Sequence, residues 1–495
     1  MLLALGGAGA ALAVLFLVHG AVTRSLLSGG RLRSWINTTP ETTLLDWDEA
    51  VSTVPGRLRV KNLRIRGSDV NVEWIVRLSD ARVEYSVLAL LTRTFRVSAV
   101  RGSGLTFRLR QKLDPEASGN PPAALLPPIE GFADPPLRRP EPAAAADDGG
   151  SPWTVDVRGI DIERFEEIWL DVQRFEGRAR VTGRFLLRPG QRARVGPARV
   201  AFEDGRLRIG RDPVAVAVAG SLESSIDEWD PRRTQGAAVW RNVTAAIRLR
   251  GRSEGLDFLN YYVRRASEPR FSNGRGVMSL AGAIEHGRAS GDWDLTAQGG
   301  AARLEKTALT GDVRAHAHVA RWDLEKGPMV LDSSWLRLSD VIAAGTDRSR
   351  GWWGRFDLPK ASVERGRLSG RVEAKCRDAR PLFAVFSVNL PRWTRSLLEM
   401  EGLEASAEVQ LSGPRTRVHE LLAAGEKLRI LGEYDRRGED RRGVFLIDGG
   451  PIDVGVRLGN EGASIRLLGV KSWFARESEL VARGSDTKPD RNAGK

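Results

Sequence analysis

Between Arg57 and Leu91 the chain alternates apolar and polar residues. Val72, Trp74, Val76 and Leu78 are apolar; Asn71, Glu73, Arg77 and Ser79 stand between them, with Ile75 the one break. A period of two marks a strand with one apolar and one polar side. In the flanking runs Leu58, Val60 and Val83, then Leu105, Phe107 and Leu109, take the apolar places. The texture resumes at Trp153, where Val155 and Val157 hold one phase and Ile160 and Ile162 the next. It continues almost to Phe474 through Val181 and Phe185, Val216, Ile247 and Leu249, Val372, Val409 and Leu411, and Phe445. Gly-rich turns separate the runs, the pattern of an all-β meander. Only "GLDFLNYYVRR" (255–265) and residues 378–400 have helical texture.

Five regions follow. Residues 2–22 carry no formal charge, and at ~1.5 Å per residue such a helix spans the ~30 Å core of a bilayer. Residues 1–23 are therefore expected to form a transmembrane anchor, kept attached because no small-x-small cleavage site follows it. Residues 24–111 form a first β region, its strands starting near Arg57 after a helical or irregular stretch. Residues 112–152 hold ten of the chain's 24 prolines and read as a loop or linker, mobile and dispensable for folding, in which "ALLPPIEGF" is an apolar piece able to dock. Residues 153–476 continue the strands, and the polar tail 477–495 reads as disordered.

The formal charge of +13 changes this picture little. Ten of the 76 basic residues are Lys, so 66 are Arg. They sit singly at polar strand positions among 63 acidic residues, whereas nucleic-acid binding calls for a local patch. No nucleic-acid partner is expected. The single cysteine, Cys376, lies in the apolar phase and reads as a core residue. His316 and His318 share one strand face without a third ligand nearby, so no metal site is expected. Asp46/Asp48 and Glu166/Glu167 are ordinary carboxylate pairs at turns or strand ends. No phosphate-binding loop, nucleophile elbow or zinc-helix motif occurs, and neither cofactor nor enzymatic activity is expected.

A one-faced sheet of this extent must be covered. Exposing twenty Val, Leu, Ile or Phe side chains at ~1.5–3 kcal/mol each forgoes about 30–60 kcal/mol, beyond any domain's net stability. Two sheets can close on each other as a dry sandwich, or the apolar face can hold acyl chains.

Here the sequence resembles a family. The apolar N-terminal helix is followed by Trp47, Asp48, Ala50, Pro55, Gly56, Arg57, Leu58, Val60, Asn62, Leu63 and Ile65, then by Asp80, Leu88, Leu91, Phe95, Val97, Gly102 and Leu109. Over residues 1–110 this block is similar to the N-terminal region of AsmA-like proteins, kin of TamB and of the chorein-type bridge proteins. The resemblance implies a mainly β fold: a single transmembrane helix, then an elongated, curved antiparallel β-groove with few short helices, apolar inside and polar outside. It implies a single-pass inner-membrane protein, reached through residues 2–22, with its body in the periplasm of a Gram-negative-type envelope. Counted alone, Arg24, Arg31 and Arg33 after the helix put the body in the cytoplasm; the exported orientation comes from the resemblance. It implies phospholipid as partner, carried toward the outer membrane, with an envelope protein or a second copy completing the path. The lipid-facing candidates are Leu58, Val60, Val72, Trp74, Val76, Leu78, Val83, Leu105, Phe107, Leu109, Val181, Phe185, Val216, Ile247, Leu249, Val372, Val409, Leu411 and Phe445. The alternative is a non-enzymatic envelope scaffold of closed β-sandwiches.

Overall fold

A computed structural model describes Arg33, Asn37, and residues 43–68, 71–115, 121–138, 153–188, 192–230, 234, 236–263, 270–304, 307–325, 327–343, 351–364, 366–378, 402–412, 415–426, 428–449 and 453–483. The expected anchor over residues 2–22 and the helical texture over 379–400 lie outside the described residues. Among the described residues no helix is long and apolar enough to cross a membrane. The described residues are mainly β, with 22 strands in an open, mainly antiparallel sheet. It divides into two units, residues 1–251 with 282–288, and residues 252–281 with 289–495.

In the first unit, β1 (Thr43–Asp46) and β2 (Glu49–Val54) both pair with β3 (Arg57–Ser68). Strand structure thus begins earlier than Arg57, where the sequence suggested helix or irregular chain. β4 (Val72–Tyr85), the short helix α1 (Val87–Leu90), β5 (Thr94–Gln111), β6 (Thr154–Leu170), β7 (Gln173–Arg188), β8 (Arg192–Ile209), β9 (Asp212–Trp229) and β10 (Val243–Ser253) follow. β5 and β6 run parallel, because the Pro-rich stretch between them returns the chain to the same end.

The apolar parity switches within β3, β4 and β5, and at one level. Leu58 and Val60 give way to Leu63 and Ile65, Leu78 to Ala81 and Val83, and Val100 to Leu105 and Phe107. The switch falls at Asn62 (φ +50°) and Gly104 (φ +73°), both alongside Ser79 by register. A Cβ at Gly104 would fall 2.5 Å from Ser79 Oγ, so the position takes only glycine. One left-handed residue turns the following side chains to the other face. Because the shift is shared, residues of both parities still meet in one cluster: buried Val60, Leu78, Ala81 and Ile162, with Trp47 and half-buried Leu58, Leu63, Val100 and Leu105. A shift in one strand alone would have sent its apolar set to the opposite side.

The Pro-rich stretch is not a free linker over its described part. Residues 121–138 lie on the polar face of β3–β5, where Glu73 (7% exposed) and Arg110 (0%) are buried although their positions read as solvent-facing. Arg110 Nε donates to Glu73 Oε2 at 2.9 Å, its Nη1 to Pro127 O at 3.1 Å and to Asp134, and its Nη2 to Ala133 O at 2.9 Å. Arg66 and Arg108 donate to the carbonyls of Glu130 and Pro128, and Arg77 pairs with the Glu130 carboxylate. A proline-rich segment lacks ladder donors but keeps its carbonyls. The arginines of the polar face satisfy them, while Leu126, Pro127 and Ile129 are buried beneath. The apolar "ALLPPIEGF" does dock, and the expectation that residues 112–152 are mobile fails for 121–138.

The second unit holds most of β11 (Arg270–Glu285) and β12 (Arg288–Leu304), then β13 (Thr307–Asp323), β14 (Met329–Ala343), β15 (Trp352–Glu364), β16 (Arg367–Cys376), β17 (Leu403–Ser412), β18 (Arg415–Ala424), β19 (Arg429–Arg437), β20 (Asp440–Asp448), β21 (Val454–Gly459) and β22 (Gly462–Arg466). From β13 onward each pairs antiparallel with the next. The helix expected at 255–265 is α2 (Leu259–Val263). A further helix, α3 (Val470–Arg483), replaces the disordered tail expected from residue 477 over its first seven positions. Its Val470 and Trp473 bury Val444 and Leu446, and Gly455 leaves room for the Trp473 ring, which a Cβ would meet at 2.5 Å. Val444 and Leu446 lie on the opposite face from Phe445 and Ile447, so β20 is packed on both sides.

Cys376 packs in the core cluster with Trp352, Leu403 and Ile430. Burial, reinforced by the nearby Asp378 charge, pushes its thiol up to about 11. The thiolate is the reactive form, so maleimide is expected to leave Cys376 unlabelled at neutral pH and to label it fully in denaturant. Rapid labelling of the folded protein would contradict this core.

Candidate functional site: an open apolar sheet face

Cross-strand register assembles the apolar residues of the first unit into rows. Val60, Ala81, Gly102, Ile162, Val181, Val200 and Leu222 are successive partners from β3 to β9. Beside them run Leu63, Leu78, Leu105, Phe165, Ala179, Phe202 and Gly220. The next row is Ile65, Val76, Phe107, Ile168, Phe175, Leu207 and Ala215. Directly opposed residues of neighbouring strands share a face, so each row is a band of hydrocarbon across seven strands.

These bands are sealed only in places. Trp47, with Leu45 and Ala50, packs over the cluster of Val60, Leu78 and Ala81. Elsewhere the face keeps solvent contact: Trp74, Val76, Phe107, Leu109, Phe185, Val200 and Leu222 are half-buried.

The structure places the remaining candidates as follows. Trp74 opposes Leu109, Leu58 opposes Val83, and Val72 stands opposite Gln111 at the margin. Phe185 opposes Val157 and Val195. Val216 stands opposite exposed Arg206, which faces Glu176, and so belongs to the charged face; its neighbour Ala215 takes the apolar place opposite Leu207. Ile247 and Leu249 are half-buried and alternate with exposed Arg248 and Arg250.

In the second unit Val372 opposes Ala407, Val409 opposes Gly370 and Val418, and Leu411 opposes Leu368 and remains exposed. Phe445 opposes Gly432 and Val456 and packs against the cluster of Ile430, Ile447 and Val454. Phe165, Ile168, Phe175 and Leu207 complete rows of the first unit without having been singled out in the sequence. Their signal was the phase change in "WTVDVRGIDIERFEEIWL", which requires the register to interpret.

The opposite face is laced with ion pairs between neighbouring strands. Arg59–Asp80 (2.9 Å), Arg180–Asp161 (2.7 Å), Lys375–Glu404 (2.7 Å) and Arg415–Asp435 (2.9 Å) are examples. His316 and His318 face Asp294 and Asp292 through Nδ1 at 2.8 and 2.6 Å. Among the described residues no group of three or more His, Cys, Asp or Glu side chains is arranged to hold a metal ion.

Hydrogen bonds from Arg59 and Arg180 hold the Asp80 and Asp161 carboxyls below the usual carboxylate range. For Asp435, burial raises the pKa, and the Arg415 hydrogen bond with the Arg415 and Arg417 charges outweighs it. A carboxylate depressed in the folded state stabilises it above the unfolded value of about 3.9, and the contribution is lost as pH falls through the lower native value. Exposed pairs contribute about 0–1 kcal/mol each. Acid unfolding, followed by tryptophan fluorescence, is therefore expected to begin below about pH 4 and to be salt-sensitive. Onset above about pH 5 would show that these pairs do not govern it.

Comparison of the chain with protein-family models, curated proteins and solved structures finds no match.

Proposed function

We propose that the apolar face holds the acyl chains of phospholipid, and that the protein hands lipid along its strands from an inner membrane, where residues 2–22 anchor it, toward an outer membrane. The observation that carries this reading is the set of apolar rows crossing seven strands, in which Ile65, Val76, Phe107, Ile168, Leu207, Val200 and Leu222 keep solvent contact while other members of the rows are buried. An aliphatic row left in partial contact with water gains from any apolar chain laid along it, about 0.8 kcal/mol per buried methylene. Eight methylenes supply about 6 kcal/mol, enough for retention but not for irreversible capture. Outside the part of β3–β5 covered by residues 121–138, the charged face carries many of its groups in ion pairs between neighbouring strands. Nothing in this role needs a catalytic group, and the chemistry is non-covalent.

Native mass spectrometry of the full chain, extracted in mild detergent, tests the reading. The expected result is phospholipid that survives detergent exchange and is lost on unfolding. Protein of bare mass in several detergents would favour a protein occupant of the same face, the scaffold alternative.

A further inference from the structure

One end of the strands in the first unit exposes hydrocarbon that its own fold leaves uncovered. The β2–β3 turn, α1 between β4 and β5, and the start of β6 lie side by side there. Tyr85 N–H donates to Gly56 O at 2.8 Å, and Thr154 N–H donates to Arg93 O at 2.9 Å. Ser52 Oγ donates to Arg57 O at 2.8 Å and pins the turn. Ser86 Oγ accepts from Ala89 N–H at 3.3 Å and starts the helix. These fixed elements present Leu88 on α1 (78% exposed) and Leu91 at its C-terminal cap (83%), three residues apart, with Val54, Val87 and Trp153 also exposed. Exposed apolar side chains are ordinary when scattered; five held together by hydrogen-bonded turns form a patch.

The rim is cationic. Arg57, Arg93, Arg96 and Arg188 are exposed around this end, against Glu84 and Asp156; Arg194, farther along, lies beside exposed Asp227 and Glu228. Asp156 already pairs with Arg96 and Arg158, and Glu84 lies 3.8 Å from Arg101. Arg57 and Arg93 have no ion-pair partner among the described residues. Aliphatic tips with a tryptophan beside them, ringed by arginine, match the boundary between acyl chains and anionic headgroups. A protein partner would have to supply both a hydrophobic socket and a carboxylate ring; an anionic bilayer supplies both at once.

We infer that this end of the first unit docks on an anionic lipid surface, with Leu88 and Leu91 inserted among the acyl chains and Arg57 and Arg93 at the headgroups. The site is separate from the apolar sheet face and stands whether or not that face carries lipid.

The test uses the full chain reconstituted with vesicles, because residues 2–22 alone would mask a binding assay. Leu88→Cys and Leu91→Cys are labelled with a polarity-sensitive dye; Cys376 is buried and stays unlabelled. Ser464→Cys, exposed on β22, is the control. On vesicles of phosphatidylcholine with phosphatidylglycerol, the dyes at 88 and 91 are expected to blue-shift, brighten several-fold and be quenched by doxyl-labelled lipid, while the dye at 464 stays in water. Arg57→Glu with Arg93→Glu should remove most of that quenching. Three results overturn the inference: dyes at 88 and 91 that remain water-exposed on these vesicles, equal quenching on pure phosphatidylcholine, or a blue shift that grows with protein concentration in the absence of lipid, which would mean that a second copy covers this end. Lipid retained on the sheet face is read separately, by mass, so either conclusion can fail alone.

Discussion

Arg110→Met is expected to lower the stability of the first unit by about 3–5 kcal/mol, since removing one partner strands a buried charge. Glu73, 7% exposed beneath residues 121–138, would lose both guanidinium contacts for as long as that cover stays in place. The carbonyls of Pro127 and Ala133 would lose their donor as well. Residues 121–138 are then released from the sheet, and limited proteolysis should cut there first, where the parent protein resists. The double variant Glu73→Leu, Arg110→Met should recover much of the loss, because a well-packed apolar pair often replaces a buried ion pair without cost. Denaturant unfolding of the four proteins measures this. A loss under about 1 kcal/mol for Arg110→Met, with the segment still protected, would mean that the network does not hold the segment in place.

Val76→Arg should cut bound phospholipid at least tenfold while the protein stays folded. Val76 sits half-buried in the row with Ile65 and Phe107. An arginine there can lay its stem along the row and extend its guanidinium to water, so the fold tolerates it. The charge then stands where an acyl chain would lie. On a sheet face sealed by protein the same substitution would bury an unpaired charge and cost several kcal/mol. Lipid mass and denaturant midpoint together separate these outcomes: unfolding sinks the lipid reading, and so does a folded variant with undiminished lipid. Arg77, next to Val76 on the polar face, cannot serve as an inert control, because it pairs with Glu130 of the docked segment. Arg178→Gln serves instead, being exposed on the charged face with Asp204 4.0 Å away, and should change neither quantity.

The sequence by itself determined the class of structure and much of the candidate face. A period of two is a local property, written by each residue's own side chain and its neighbours two places away. Alternation therefore announced the strands, the Gly-rich turns separated them, and the single charges at polar positions marked a solvated side. Val76 with Phe107, and Leu78 with Leu105, were assignable to one face before any register was known.

Only the tertiary structure decided which parts of each face are covered. The parity switch at Asn62 and Gly104 keeps one face apolar because neighbouring strands shift at the same level, and that coincidence exists only once they are paired. It also moved Val216 to the charged side, since the left-handed Ala217 follows it (φ +51°) and Ala215 took the apolar place. Arg110 and Glu73 read as solvent-facing until residues 121–138 lie over them. Alternation cannot report a cover that arrives from elsewhere in the chain. The prolines of that segment signalled that it adds no strand over its described part, yet its carbonyls remained acceptors for three arginines, Arg66, Arg108 and Arg110, on strands already formed. At the other end of the chain, α3 was hidden because its polar residues are as many as its apolar ones, and its reason to fold is the back of Val444 and Leu446, which it covers. Burial is a relation between distant segments, and it is settled by the contacts they make.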